Sequence, residues 1–129
     1  MREITETMKR LQLEEQFRKL TKHLPVGLFQ FVRRQDGRHE VLYLSEGASR
    51  ISGIPADEQI AYPERFNDLV LPEDRELYAD SIARSAERLE TWDIEFRLSA
   101  RDGVEKWVRI NARPEASDGD ITWHGYIAD

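Results

Sequence analysis

Thr91-Trp-Asp-Ile-Glu-Phe-Arg-Leu98, Val104-Glu-Lys-Trp-Val-Arg-Ile-Asn111 and Ile121-Thr-Trp-His-Gly-Tyr-Ile-Ala-Asp129 follow one another along the last third of the chain. An Asp102-Gly103 turn joins the first two, and a looser link from Glu115 to Asp120 leads to the third. Each stretch alternates apolar and polar side chains, the two-residue period of a strand with one buried face. Trp92, Ile94, Phe96 and Leu98 therefore share an inner face against Asp93, Glu95 and Arg97. In the second strand Val108, Ile110 and Ala112 face inward and Trp107, Arg109 and Asn111 outward. In the third, Ile121, Trp123, Gly125 and Ile127 form the inner set, leaving His124 and Tyr126 outside. The reading is an antiparallel sheet with one apolar wall.

Ahead of these strands, Pro72-Glu73-Asp74 has the composition of a helix start, with proline in the first turn and acids at the positive end of the dipole. The helix is expected over Pro72 to Leu89, with Tyr78, Ile82 and Leu89 as its buried stripe and Ala79 and Ala86 beside them. Short helical pieces are expected after Ser45, with Ala48, Ile51 and Ile54 on one side, and again over Ala56 to Ile60 and Pro63 to Val70. Val26 to Val32 and Glu40 to Leu44 read as a hairpin around Asp36-Gly37. Its strands are nearly apolar throughout, which predicts burial on both faces.

Residues 3 to 24 lack Pro and Gly and predict a helix that Pro25 ends. Ile4, Met8 and Leu11 fall on one side of it, and Leu13, Phe17, Leu20 and Leu24 on nearly the opposite one. We expect Leu13 to Leu24 to cover the sheet and the outward Trp107, and Ile4, Met8 and Leu11 to meet a second copy of the chain. The organisation is thus a leading amphipathic helix, 1 to 24, and one domain, 25 to 129, of the α+β class.

The 129 residues suffice for one domain with a core. With 19 basic against 25 acidic residues the net charge is −6, and the basic residues are dispersed, which argues against a nucleic-acid partner. No apolar run approaches the ~20 residues of a membrane span, and the charged N-terminus does not resemble a signal peptide. A cytoplasmic location is the expectation. Zero cysteines exclude disulfides, thiolate metal sites and thiol-linked cofactors.

The order of elements and several short motifs resemble a PAS domain with its C-terminal PAC region. Leu24-Pro-Val-Gly-Leu-Phe29 resembles the entry to the first strand of that family, and Tyr43-Leu-Ser45 with Ile51-Ser-Gly-Ile54 the second strand and its following helix. Leu69-Val-Leu-Pro-Glu-Asp-Arg75 resembles the segment before the long helix, with Leu71 where a histidine is often found. Phe96-Arg97, Arg101-Asp-Gly103, Lys106-Trp-Val108 and Gly125-Tyr-Ile-Ala-Asp129 resemble the PAC signature. The resemblance implies a five-stranded antiparallel sheet with short helices and one long helix on one face. It further implies a sensory input module that regulates an effector following Asp129, most often a histidine kinase and next a diguanylate cyclase.

The same resemblance bears on cofactors. A cysteine-linked flavin or chromophore cannot form in a chain without cysteine. Haem-binding members use a histidine on the long helix, and Pro72 to Leu89 has none. His23, His39 and His124 share no spacing and read as surface residues rather than metal ligands. The candidate ligand pocket is apolar: Ile51, Tyr78, Ile82, Phe96, Leu98, Val108, Ile110, Trp123 and Ile127. Tyr78 would supply one hydrogen bond to a small apolar ligand, whereas the opposing reading fills the same space with packing alone. Two rival functions remain: a ligand-free dimerisation or adaptor module, and a small cone-fold enzyme with Asp93 or Tyr78 as acid or base. Alternation places Asp93 on the outer face, against the enzyme.

Overall fold

The alternating strands form the sheet expected of them. The computed structural model describes residues 2–129, with side chains from Thr5 onward. Along the chain run α1 (Arg2–Lys22), β1 (Val26–Arg33), β2 (His39–Leu44), α2 (Glu46–Ser52), α3 (Ala56–Ala61) and α4 (Glu64–Asn67). A 3₁₀ turn at Pro72–Asp74 leads into α5 (Arg75–Arg88), followed by β3 (Trp92–Ser99), β4 (Glu105–Ser117) and β5 (Asp120–Ala128). The strands make one five-stranded sheet in the order β2-β1-β5-β4-β3, with antiparallel pairing throughout.

Register sets the core. Ile94 pairs with Ile110 and Ile110 with Ile127, so the inner sets of the last three strands lie side by side. Trp92, Ile94, Phe96, Leu98, Val108, Ile110, Ala112, Trp123 and Ile127 are all buried. The outer face is polar: Arg109 holds Asp93 through two contacts at 2.8 and 2.9 Å, and the Arg97 guanidinium lies 5.5 Å from the Trp107 ring centre. His124, on the same side, contacts Gln30 and Glu115.

Four expectations are corrected. Glu115 to Asp120 is not a loose link: β4 continues to Ser117, which pairs with Asp120 across a two-residue turn. Asp118 and Gly119 both take positive φ, 52° and 86°, as such a tight hairpin requires. Pro114 is tolerated in this arm because β3 pairs only as far as Ala112, leaving the proline's far side unpaired.

The β1–β2 hairpin is not buried on both faces. β2 is an edge strand, and Leu42 on it is 49% exposed. Pairing passes from Gln30–Tyr43 to Phe31–Val41, so Leu42 is an extra residue in a bulge. Alternation is broken there, and Val41 and Leu44 come to the same inner face.

Leu89 does not belong to the buried stripe of the long helix. It caps α5 in the left-handed conformation (φ 53°) with its side chain exposed, and Ala79 is exposed as well. Ser85, together with Ala86, is buried on this helix instead.

Finally, α1 is one unbroken helix that does not cover the sheet. Leu13, Phe17 and Leu20 are exposed, and Trp107 is 62% exposed. Its anchorage is at the C-terminal end, where Arg50 donates to the carbonyls of Lys22 (2.8 Å) and Leu24 (3.2 Å) and Phe17 meets Tyr43 of β2. Met8 and Leu11 are exposed, and the side chain of Ile4 lies outside the described residues.

α2 sits directly on β1. A Cβ on Gly27 would lie 2.4 Å from the Cα of Ala48, so the missing side chain is what permits this contact. Ala48 and Ile51 are buried through it, and Gly53 ends the helix at φ 80°.

Candidate functional site

The inner wall of the sheet is roofed by α5, and two indoles hold the roof in place. Trp92 Nε1 donates to Ser81 Oγ at 2.8 Å, and Ser81 Oγ donates to the Tyr78 carbonyl. Trp123 Nε1 donates to Ser85 Oγ at 2.9 Å, and Ser85 Oγ donates to the Glu90 carbonyl. Tyr78 packs edge-on against Phe96 and Trp92, with ring centres 5.0 and 5.6 Å away, and at a tilt against Phe66 at 6.4 Å. The aromatic cluster fills the β3 side of the space beneath α5.

On the β1 and β2 side the space is not filled. A cavity of about 480 Å³ remains, inside the range of roughly 300–1,000 Å³ typical of small-molecule sites. Trp92, Ile110 and Ile127 make its floor, Phe29, Phe31, Val41 and Leu44 its wall, and Tyr78, Ile82 and Phe66 its roof. Exposed lining residues, His39, Asp68, Arg75, Ala79 and Ala83 among them, carry it out to the surface.

Of the residues singled out from the sequence, Tyr78, Ile82, Ile110 and Ile127 line this cavity. Ile51, Phe96, Leu98, Val108 and Trp123 do not; they are packed into the solid core beside and behind it. The hairpin supplies lining residues that alternation alone did not identify, because the bulge at Leu42 is needed to turn His39, Val41 and Leu44 the same way as Phe29 and Phe31. Gln59 was also missed. A glutamine in a short acidic helix carries no sequence sign of burial, yet it is 8% exposed.

Electrostatics differ around the lining. Burial pushes the Tyr78 hydroxyl well above the ordinary phenol range, so it stays protonated as a neutral donor. His39 is held below the usual imidazole value of 6.5, first by burial and then by the charge of Arg33 opposite it. At the other end Arg75 donates to the carbonyls of Val70 (3.1 Å) and Asp68 (3.3 Å). Asp74, just before α5, accepts from the Arg97 backbone N–H at 2.7 Å and from its guanidinium at 2.8 and 3.0 Å, clamping the roof to β3.

The family model described as PAS fold matches residues 41–127. The chain belongs to the PAS family. This PAS domain is also similar to solved structures. A domain of a histidine kinase from Haloarcula marismortui superposes with a TM-score of 0.69 at 28% identity, covering 89% of this chain and 97% of that one. The N-terminal domain of a diguanylate cyclase with a PAS/PAC sensor from Marinobacter aquaeolei gives 0.62 at 18% identity, covering 79% and 94%. A sensory box histidine kinase/response regulator from Burkholderia thailandensis gives 0.64 at 22% identity, covering 88% and 82%. The last two likenesses speak for the fold alone. Among curated proteins no match was found.

Proposed function

We propose that this PAS domain is the input module of a larger signalling protein, that its signal is a small molecule held between α5 and the inner sheet face, and that the output is a histidine kinase. The observation that carries the reading is the 480 Å³ cavity, apolar in its body and open to solvent at its rim. The histidine-kinase output is supported by the Haloarcula marismortui domain, matched over 97% of its length at 28% identity. A diguanylate cyclase is the alternative output, and a ligand-free dimerisation or adaptor module the alternative role. A cytoplasmic setting belongs to the same proposal; separately, no helix among the described residues is long and apolar enough to cross a membrane.

In this reading the domain performs no chemistry of its own. Asp93 is exposed and ion-paired with Arg109, which holds its carboxyl below the ordinary range and makes it a poor proton donor. Tyr78 is pushed the opposite way from what a general base requires. Neither residue weighed as acid or base of a small cone-fold enzyme is therefore suited to that role. The exposed Met8 and Leu11 of α1 support a homodimer contact through the leading helix. Occupancy of the cavity shifts α5 against the sheet, and the change leaves through α1 and the end of β5.

Native mass measurement of the gently purified domain, alone and with N-phenyl-1-naphthylamine, tests the reading against the Ile82→Trp variant. A bound mass in the wild type that the tryptophan displaces is expected. The absence of both an endogenous adduct and uptake of the apolar amine would contradict it and leave the adaptor role.

A further inference from the structure

Gln59 of α3 is almost fully buried at 8% exposure, it lines the cavity, and its Oε1 has no hydrogen-bond partner among the described residues. An unpaired buried acceptor costs about 1–3 kcal/mol, which an apolar side chain of the same shape would avoid. Tyr78 lines the same space.

Charge is placed unevenly around the same lining. Arg33, at the end of β1, is on the inner face with Phe29 and Phe31 and is half-buried, and its guanidinium makes no ion pair or hydrogen bond among the described residues. Its neighbour Arg34, by contrast, is held by Glu40 (2.9 Å) and Asp120 (3.0 Å). The residue paired with Arg33 across the hairpin is His39, not a carboxylate. At the other end the Arg75 guanidinium is held by the backbone carbonyls of Val70 and Asp68.

We infer that the ligand is an amphipathic organic anion: an apolar, ring-bearing body that sets an N–H or O–H donor against the Gln59 carbonyl and leaves its negative group beside Arg33. This rests on the sensory reading of the cavity and names the chemistry it selects. The ring body suits walls made by Phe29, Phe31, Phe66 and Tyr78. The donor relieves the orphaned amide oxygen, and the anion gives Arg33 the partner it lacks.

Two dyes separate these elements. 1-Anilinonaphthalene-8-sulfonate carries rings, an N–H and a negative charge; N-phenyl-1-naphthylamine carries the rings and the N–H without the charge. Both are titrated by fluorescence into the whole chain. Arg33→Gln is expected to weaken the sulfonate about five- to ten-fold and to leave the neutral amine within about twofold. Gln59→Leu is expected to weaken both dyes about five- to ten-fold while the thermal midpoint of the free protein stays the same or rises. Ile82→Trp abolishes both, and Ala79→Phe at the exposed rim does the same should the buried substitution prevent folding.

If both dyes bind but Arg33→Gln and Gln59→Leu leave them unchanged, the inference is overturned and the cavity stands. A fall in the thermal midpoint with Gln59→Leu overturns the donor assignment, because the amide then has a structural partner. If neither dye binds the wild type, or both still bind the blocked variants, this inference and the sensory reading fall together.

Discussion

Trp123 donates its indole N–H to Ser85 Oγ at 2.9 Å, joining the middle of β5 to the third turn of α5. Trp123 is fully buried and Ser85 is 2% exposed, so water cannot replace either partner. Ser85→Ala leaves the indole N–H unpaired in the core. We expect a loss of about 1–3 kcal/mol in urea unfolding, with the midpoint lowered and the slope unchanged. A loss below about 0.5 kcal/mol would mean that α5 is not held through this contact.

Gly27→Ala probes the seat of α2. The added methyl carbon would stand 2.4 Å from Ala48 Cα and 2.5 Å from its backbone N, and neither is the end of a flexible side chain. Separation of helix and strand should cost on the order of 1–3 kcal/mol, measured by thermal or urea unfolding. A variant as stable as the wild type would contradict the close packing.

Leu89→Gly should act in the opposite direction. Leu89 adopts φ 53° at the end of α5 and is 52% exposed, so its side chain gains little from burial while its backbone carries the left-handed penalty. Relief of about 1–2 kcal/mol, offset by the greater freedom of glycine in the unfolded chain, predicts a gain of roughly 0.5–1 kcal/mol. An unchanged or lower unfolding midpoint would count against that conformation.

Acid should destabilise the domain in two separate windows. His39 is depressed below 6.5 by burial and by Arg33, so its neutral form supports the fold above that value and the support erodes as pH falls from 6.5 through the depressed value. Asp74 is depressed below 3.8 by Arg97, so its contribution is complete above 3.8 and is lost as pH falls through its folded value. Unfolding midpoints measured from pH 7 to 2 should lose part of the upper slope in His39→Gln and part of the lower slope in Asp74→Asn. Identical profiles for the variants and the wild type would contradict both assignments.

The legible parts of the fold are those where one face meets solvent and the other the core. β3, β4 and β5 are such strands, and Trp92 to Leu98 or Trp123 to Ile127 could be sorted by alternation because nothing interrupts the period. Alternation fails where an extra residue enters: Leu42 in the bulge of β2 hid the inward set His39, Val41 and Leu44, and with it one wall of the candidate site. Polar residues of the core were invisible for another reason. Ser81, Ser85 and Gln59 are where they are because of indole N–H groups and a cavity contributed by distant parts of the chain, and a helical stripe counted on apolar residues passes over them. α1 illustrates the reverse error: apolar residues at helical spacing predict a covered face, but Leu13, Phe17 and Leu20 remain exposed.

Backbone amide shifts in two-dimensional NMR, recorded on the domain with and without N-phenyl-1-naphthylamine, report where a ligand enters beneath α5. Binding between α5 and the inner sheet face should place the large changes on Phe29, Phe31, Val41, Tyr78, Ile82, Ile110 and Ile127 and extend them to α5 as a whole. Changes concentrated on the outer face, at Trp107, His124 and Tyr126, or along α1, with the inner set undisturbed, would contradict it.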